Sequence, residues 1–254
     1  MPKHWIVLLA GAAVASSCAE NSPDSPGECT PASAREVCER DGDANACGWA
    51  DLYERRVDGV SLAAQTGAPT AGLDAALIAL VPELAGKAFV DEEPAVPPPQ
   101  TFDLLSYAPH QVDFPVDWTA DPEANNSWRM YFQNLGWLYR PCRDGGAGLE
   151  AGMYILHDWV ANAMYTEPAL EWTWDDHALA VRLNNAAYCL QRYVESHEVL
   201  NQRLVHAAVS IIVTHLHALG VDACYRPSNN HGVIEDLAVL KNCLLYTSPS
   251  PRDS

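Results

Sequence analysis

The sequence predicts an all-α fold for residues 101–242. Apolar residues there recur every three or four positions in five separate segments, which is the period of an amphipathic helix. Capping residues or glycine separate the segments, and no stretch of useful length alternates between apolar and polar residues as a half-buried strand does. Helices joined by short loops pack as antiparallel neighbours, and a hydrophobic content of 48% supplies a sizeable core.

Four of the predicted helices lie before residue 220. Ser127 is a good N-cap for the first, and Asp175 or Asp176 for the third. Gly220 is a good C-cap for the fourth. The predicted ranges are 127–139, 149–165, 176–196 and 199–219.

The fifth predicted helix begins near His231 and continues to Leu240, after three residues that are all acceptable N-caps, Ser228, Asn229 and Asn230. A helix start is electropositive and carries unpaired N–H groups, so it suits a bound carboxylate. An adjacent Asn and His at such a position can hold a carboxylate and move a proton. The alternative interpretation is a capping loop with a solvated histidine.

The first 28 residues are predicted to be a targeting segment. The apolar run Ile6–Val14 is too short for a stable membrane span and belongs to a signal peptide over residues 1–17. Ala15-Ser-Ser-Cys18 resembles a bacterial lipobox, in which Cys18 is lipidated, and residues 18–28 form a flexible tether. We therefore expect an exported lipoprotein, periplasmic or at the cell surface, anchored by lipid to the outer or cytoplasmic membrane. Plain secretion with Cys18 in a disulfide is the alternative.

Residues 243–254 resemble a translated sequencing adapter. Their Pro-Ser-Pro run breaks the helix that begins near His231. We therefore expect the natural sequence to stop near Asn242, in mid-helix, as a fragment of a longer protein.

Residues 29–100 are predicted to form a Cys-containing segment and a Pro-rich linker. Asp91–Pro99 is stiff and acidic and marks the best internal boundary, while Leu73–Leu80 is a short apolar helix. Asp41-Gly-Asp43 resembles the start of a calcium loop, but later positions lack the Gly and Glu of an EF-hand. An ordinary turn is therefore the default expectation.

Six cysteines remain when Cys18 and Cys243 are set aside: Cys29, Cys38, Cys47, Cys142, Cys189 and Cys224. An even number in an exported chain predicts at least two disulfides. The first three of the six lie close together in sequence, so we expect a local bridge, with the third cysteine either free or joined to a distant partner. No CxxC pair occurs, so the sequence predicts no zinc site.

Acidic side chains dominate the composition, with 33 Asp and Glu against 15 Lys and Arg and a formal net charge of -18. Nucleic-acid binding needs a basic face to contact phosphates. The sequence therefore predicts no nucleic-acid partner.

Three groups of residues stand in a recognisable order along the chain. They are Val112-Asp-Phe-Pro-Val-Asp-Trp118 with Ser127-Trp128 and Asn134-Leu-Gly-Trp137, then Trp174-Asp-Asp-His177 with Arg182, and then Asn229-Asn230-His231-Gly232. Together they resemble the heparinase II/III-like polysaccharide lyases, which include many alginate lyases. The resemblance covers residues 102–240 and none of residues 19–100.

The resemblance implies an incomplete (α/α) toroid, truncated in this chain, and β-elimination at a uronic acid of an anionic polysaccharide. Asn230 would hydrogen-bond the substrate carboxylate, and His231 would share that task or act as the base. The residues implied in substrate binding are Asn229, Trp174, His177 and Tyr225. No cofactor is implied. The family's tyrosine acid matches nothing here, so we expect the chain by itself to be inactive although its parent is a lyase.

Several of these residues have structural alternatives. Trp174 is equally suited to closing a helix start in the core, and His177 to bonding a carbonyl there. Arg182 suits either an acidic sugar or an internal salt bridge. His215 and His217 stand two apart and face different sides of a helix, which argues against a shared metal.

Two other functions remain open at this point. An (α/α)-toroid glycoside hydrolase needs two carboxylates across a cleft, for which Asp175 or Asp176 and Glu235 or Asp236 are candidates. The other is a surface lipoprotein that binds glycans without catalysis.

Overall fold

The computed structural model describes residues 29–54, 84, 86–104, 107–166, 169–224 and 230–247. This part of the chain is mostly helical, so the all-α prediction is confirmed. The predicted signal peptide, Cys18 and its tether, the short helix Leu73–Leu80 and residues 248–254 of the predicted adapter tail lie outside the described residues. Among the helices that are described, none is long and apolar enough to cross a bilayer.

The described helices follow the predicted segments closely and add two at the N-terminal side. They are α1 (Pro31–Asp41), α2 (44–54), α3 (Asn126–Gln133), α4 (Tyr139–Asp144), α5 (Gly146–Trp159), α6 (Asp176–Ser196), α7 (Gln202–Leu219) and α8 (Asn230–Thr247). Short 3-10 turns lie at Gly136–Leu138 and Asp222–Cys224, and a π-helical turn at Val160–Met164 extends α5.

Four three-residue strands accompany these helices in two pairs. Strand β1 (Ala88–Val90) lies parallel to β4 (Val199–Asn201), and β2 (Gln100–Phe102) lies antiparallel to β3 (His110–Val112). Three residues are too few to show a period of two, so these strands could not be predicted from the sequence.

Side-chain caps set the starts of α6 and α7. Asp175 Oδ1 accepts a hydrogen bond from the Ala178 N–H at 3.0 Å, so α6 begins where the sequence predicted. The predicted start of α7 at Val199 is wrong by three residues. Asn201 ends strand β4 there, and its Oδ1 caps α7 by accepting from the N–H of Arg203 at 3.0 Å.

The first predicted helix, 127–139, is broken after α3. Asn134 Oδ1 accepts a hydrogen bond from the Gly136 N–H at 2.8 Å, and Leu135 adopts a left-handed backbone with φ of 56°. The chain therefore changes direction before Trp137. The segment that follows, up to α4, forms part of the wall of a cleft described below.

Helix α6 is the centre of the described bundle, because α3, α4, α5, α7 and α8 all contact it. Its buried positions include Leu179, Leu183 and Leu190. Packing on so many sides fixes the first turn of α6 relative to its neighbours. The candidate site lies at that turn.

Helix α2 joins the same core through aromatic rings. Trp49 is fully buried with its ring 5.2 Å from that of Trp174, and the Tyr53 ring is 5.5 Å from that of Tyr165. In the segment that resembles a calcium loop, Asp43 Oδ1 accepts a hydrogen bond from the Ala46 N–H at 2.7 Å at the start of α2. This is the ordinary capping turn expected by default.

Three disulfides join the six cysteines in the pairs Cys29–Cys224, Cys38–Cys47 and Cys142–Cys189. The predicted local bridge is Cys38–Cys47, and Cys29 is the cysteine with a distant partner, 195 residues away. The bridges tie α1 to α2, the segment before α1 to the 3-10 turn after α7, and α4 to α6.

The apolar residues predicted to form one buried face of helix α8 are only partly buried. Glu235 and Ala238 are buried, whereas Val233, Leu237 and Leu240 are exposed at 60%, 58% and 53%. The helix therefore presents a carboxylate to the bundle and leaves a row of apolar side chains outside.

Replacing Gly152 by alanine should destabilise the fold by about 1–2 kcal/mol. A Cβ at this position in α5 would lie 2.7 Å from Cys142 Sγ, and that sulfur cannot move aside freely because it is bonded to Cys189. Overpacking costs about 1–3 kcal/mol, which exceeds the gain of up to about 1 kcal/mol in helix propensity. Urea unfolding followed by circular dichroism measures the change. The same substitution in a Cys142→Ala, Cys189→Ala background should cost less, and an equal cost in both backgrounds would contradict the stated cause.

Candidate functional site

The starts of α6 and α8 bring two of the sequence-predicted site residues together. The ring of His177 on α6 lies 5.0 Å from the ring of His231 on α8, measured between centroids. His231 Nδ1 lies 3.3 Å from both carboxylate oxygens of Asp176. Two imidazoles and a carboxylate therefore meet at a point that the sequence could not show, because Asp176 and His231 are 55 residues apart.

Asp176 is held rigidly at the start of α6. Its Oδ1 accepts a hydrogen bond from the His177 N–H at 2.8 Å, and the residue is 7% exposed. A buried carboxylate that faces an imidazole nitrogen favours a proton on that nitrogen. Asp176 thereby sets the orientation of the His231 ring.

Glu235 completes this group from one turn further along α8. Residues four apart lie on one face of a helix, so Glu235 and His231 point the same way. Glu235 is 1% exposed, and ligand atoms of Asp176, His231 and Glu235 lie within 4.8 Å of one another. These three residues, named here the α6–α8 cluster, are of the types that bind metal ions.

His177 also lines a cleft of about 450 Å³. The cleft is lined by aromatic rings and polar groups, namely Tyr131, Trp137, Tyr139, Asn134, Arg140 and Asp103, together with Leu104, Gly136 and Val181. Arg140 Nη1 lies 3.3 Å from Asp103 Oδ2, with both side chains mostly exposed. The cleft thus offers aromatic side chains, an amide and an exposed cation next to one imidazole.

Burial lowers the pKa of His177 below its ordinary value, and the neighbouring His231 lowers it further, against smaller opposing effects from Asp175 and Asp176. His177 is therefore mostly neutral at pH 7 and able to accept a proton. Burial also raises the pKa of Asp175, whose carboxylate caps α6.

Trp174 lies in the core instead of the cleft. It is 5% exposed, and its ring is 5.2 Å from Trp49 and 5.9 Å from Tyr53. The other predicted site residues are only partly described. Asn230 begins α8, but only its backbone is described, and Asn229 and Tyr225 lie outside the described residues.

Arg182 has neither of the partners that the sequence suggested. It is fully buried, and its guanidinium donates to the carbonyls of Gln133 and Thr173 at 2.9 Å each and to His215 Nε2 at 2.8 Å. Its Cζ lies 4.1 Å above the ring of Trp159. Burial lowers the pKa of Arg182 to about 9, so the side chain is still charged at pH 7. The prediction of a contact with substrate or with an acidic partner is therefore wrong.

Asp176 and Glu235 are also the carboxylates considered for a glycoside hydrolase. An inverting enzyme holds its two carboxyl groups about 6.5–9.5 Å apart, to leave room for a water molecule. The oxygens of Asp176 and Glu235 approach within 4.8 Å. This pair does not favour the inverting mechanism.

The sequence pointed to His177 and His231, and its motifs included Asn134 and Trp137, but it did not assign three other cleft residues to a site. Tyr131, Tyr139 and Arg140 carry no motif, and the break at Leu135 that turns two of them towards His177 has no sequence signal. The pairing of His231 with Glu235 does have a sequence signal, because residues four apart lie on the same face of a helix.

Comparison with known proteins adds no relative: no protein family, no curated protein and no solved structure matches the chain.

Proposed function

We propose that the chain is a helical part of a polysaccharide lyase that cleaves a uronate-containing polysaccharide by β-elimination. In this proposal α5, α6, α7 and α8 are successive members of an incomplete (α/α) toroid. The observation that carries the proposal is the position of His177. Its neutral imidazole lies on the wall of an aromatic cleft and 5.0 Å from His231, the histidine that sequence resemblance assigns to catalysis.

Uronate β-elimination requires removal of the proton on C5 and neutralisation of the adjacent carboxylate. His177 is the proposed base, since burial keeps its imidazole neutral at pH 7. His231 is proposed to hydrogen-bond the carboxylate together with Asn230, which stabilises the charge that develops on it. Asp176 acts through His231 as a positioning residue.

The cleft suits a chain of acidic sugars. Tyr131 and Tyr139 offer aromatic faces on which sugar rings can stack, and Tyr139 is 48% exposed, whereas Trp137 is only 8% exposed. Arg140 can exchange its contact with Asp103 for a substrate carboxylate, because both side chains are exposed and a surface ion pair is worth only about 1 kcal/mol or less. In the family that the chain resembles, a tyrosine protonates the leaving glycosidic oxygen, and no described residue of this chain is assigned that role.

The chain should bind oligouronates but form only a trace of unsaturated uronide, because no residue in it matches the family's tyrosine acid. The product would be seen as a new ultraviolet absorbance with alginate or glycosaminoglycan fragments. His177→Ala should lower kcat by about 10²–10⁴, the usual contribution of a general base, while oligouronate affinity measured by calorimetry changes little. Tyr139→Ala should weaken binding instead. A matched control is His110→Ala, because His110 is a half-buried histidine whose ring packs 5.1 Å from that of Trp128 and does not line the cleft.

Three results would contradict the proposal. Reducing sugar without unsaturation would establish a hydrolase, and saturable binding without any product would establish a non-catalytic glycan-binding protein. Absence of both binding and product would remove glycans as partners.

A further inference from the structure

The three residues of the α6–α8 cluster together have the side-chain types and spacing of a metal site, which the proposed lyase chemistry does not require. We propose that Asp176, His231 and Glu235 bind a divalent transition-metal ion of the zinc class. The inference concerns metal binding alone and does not rest on the proposed function.

The spacing of the ligand atoms fits a metal ion. Zinc lies about 2.0–2.2 Å from histidine nitrogen and carboxylate oxygen, so two ligands at a tetrahedral angle are about 3.3–3.5 Å apart. His231 Nδ1 and the Asp176 oxygens are 3.3 Å apart. All three ligand atoms lie within 4.8 Å of one another, so Glu235 has to move by no more than about 1.5 Å to reach the same distance.

The placement of the three residues favours a built site over a chance grouping. Asp176 is fixed at the first turn of the central helix, where its Oδ1 accepts the His177 N–H. His231 and Glu235 stand four residues apart on α8, a spacing that directs two ligands to one ion. The ion would bridge the starts of two helices that already pack together.

The burial and the negative charge of the two carboxylates also favour a bound cation. Asp176 and Glu235 are 7% and 1% exposed, and two carboxylates this close repel each other strongly when they are shielded from water. A doubly charged cation between them reverses that repulsion, whatever other contacts the two side chains make. The imidazole in the set selects a transition metal over Ca²⁺ or Mg²⁺, which prefer oxygen ligands only.

The imidazole of His177, next to the cluster, provides a separate observation in favour of a bound ligand. His177 Nδ1 is buried and makes no hydrogen bond to any residue of the described part of the chain. Its ring is 5.0 Å from that of His231. His177 therefore lies beside the cluster, as a polar neighbour of one proposed ligand and not as one of the three ligands.

The test uses the untagged chain after treatment with chelator. Zn²⁺ is titrated by calorimetry, and Co²⁺ replaces it for visible absorption, which reports tetrahedral nitrogen and oxygen ligands directly. We expect one ion per chain and a higher melting temperature with Zn²⁺. Second-shell changes cost 10–100-fold in metal affinity, so loss of a ligand in Glu235→Gln or Asp176→Asn should cost at least about 100-fold.

Asp236→Asn is the matched control, because it removes one negative charge from the next residue of the same helix, which is exposed. Its affinity for Zn²⁺ should equal that of the unmodified chain. If circular dichroism shows that Glu235→Gln does not fold, His231→Gln serves instead, since the His231 side chain is 37% exposed and tolerates change. Absence of saturable Zn²⁺ binding, or equal binding by the Glu235, Asp176 or His231 variants and the control, would overturn the proposal.

Discussion

Replacing Arg182 by methionine should destabilise the fold by about 2–6 kcal/mol, the cost of leaving two buried acceptors without their donors. Methionine fills a similar volume but donates no hydrogen bonds. The carbonyls of Gln133 and Thr173 would then be buried without their donors, at about 1–3 kcal/mol each before relaxation. Since whole domains are stable by only about 5–15 kcal/mol, this one residue decides whether the chain folds well.

The protonation of His215 shows why the network depends on arginine. Arginine carries only donors, so the 2.8 Å contact from Arg182 Nη1 requires an unprotonated Nε2 on His215. Burial lowers the pKa of His215 well below its ordinary value, and the nearby Arg182 charge lowers it further, which keeps the ring neutral. Lysine cannot replace this arrangement, because the guanidinium fork reaches several acceptors at once. Arg182→Lys should therefore also be destabilised.

Urea unfolding followed by circular dichroism gives the free energy of unfolding for each variant. Arg192→Met is the control, since Arg192 is on the same helix but pairs with Glu195 at the surface, and it should change stability by less than about 1 kcal/mol. An Arg182→Met protein as stable as this control would show that the buried acceptors find other partners.

Removal of the Cys29–Cys224 disulfide should cost about 3–5 kcal/mol. The bridge closes a loop between residues 195 apart, and the chain-entropy estimate for loops of that size is about 5 kcal/mol, which measured values rarely exceed. The bridge also holds the start of the N-terminal segment, whose Trp49 packs on Trp174. Cys29→Ala, Cys224→Ala should therefore loosen α1 and α2 as well as lower the overall stability.

The control is the Cys38–Cys47 disulfide, which joins residues only 9 apart. The same estimate gives about 2–3 kcal/mol for its removal. The urea midpoints of the two double variants, compared with that of the unmodified chain, measure the difference. Equal losses, or a larger loss from Cys38→Ala, Cys47→Ala, would mean that loop length does not govern stability here.

The parts of the fold that the sequence predicted well are those set by local chemistry. Asp175 as the cap of α6 and the 3.6-residue period of α6 and α7 can be identified without tertiary contacts. The break at Leu135 could not, because a left-handed leucine has no sequence signal. Strand β4 depends on pairing with β1, about 110 residues earlier, and on nothing within β4 itself.

The candidate site also has parts that the sequence predicts and parts that depend on tertiary packing. His177 and His231 were identified from short motifs at helix starts. Arg182 was placed wrongly because buried arginines are rare, and its acceptors are backbone carbonyls that every sequence has. The approach of Asp176 to His231 and the cleft beside His177 are products of tertiary packing, which a single sequence does not encode in any local pattern.

The Cys29–Cys224 bridge also has a consequence for biosynthesis. Cys29 leaves the ribosome long before its partner, whereas Cys38 and Cys47 follow it almost at once. Six cysteines allow 15 pairings, and the nearest ones meet first, so the growing chain is exposed to wrong bridges between Cys29 and either neighbour. Correct maturation therefore requires that early capture of Cys38 by Cys47 protects Cys29, or that a thiol-exchange catalyst repairs the pairing after α7 has emerged.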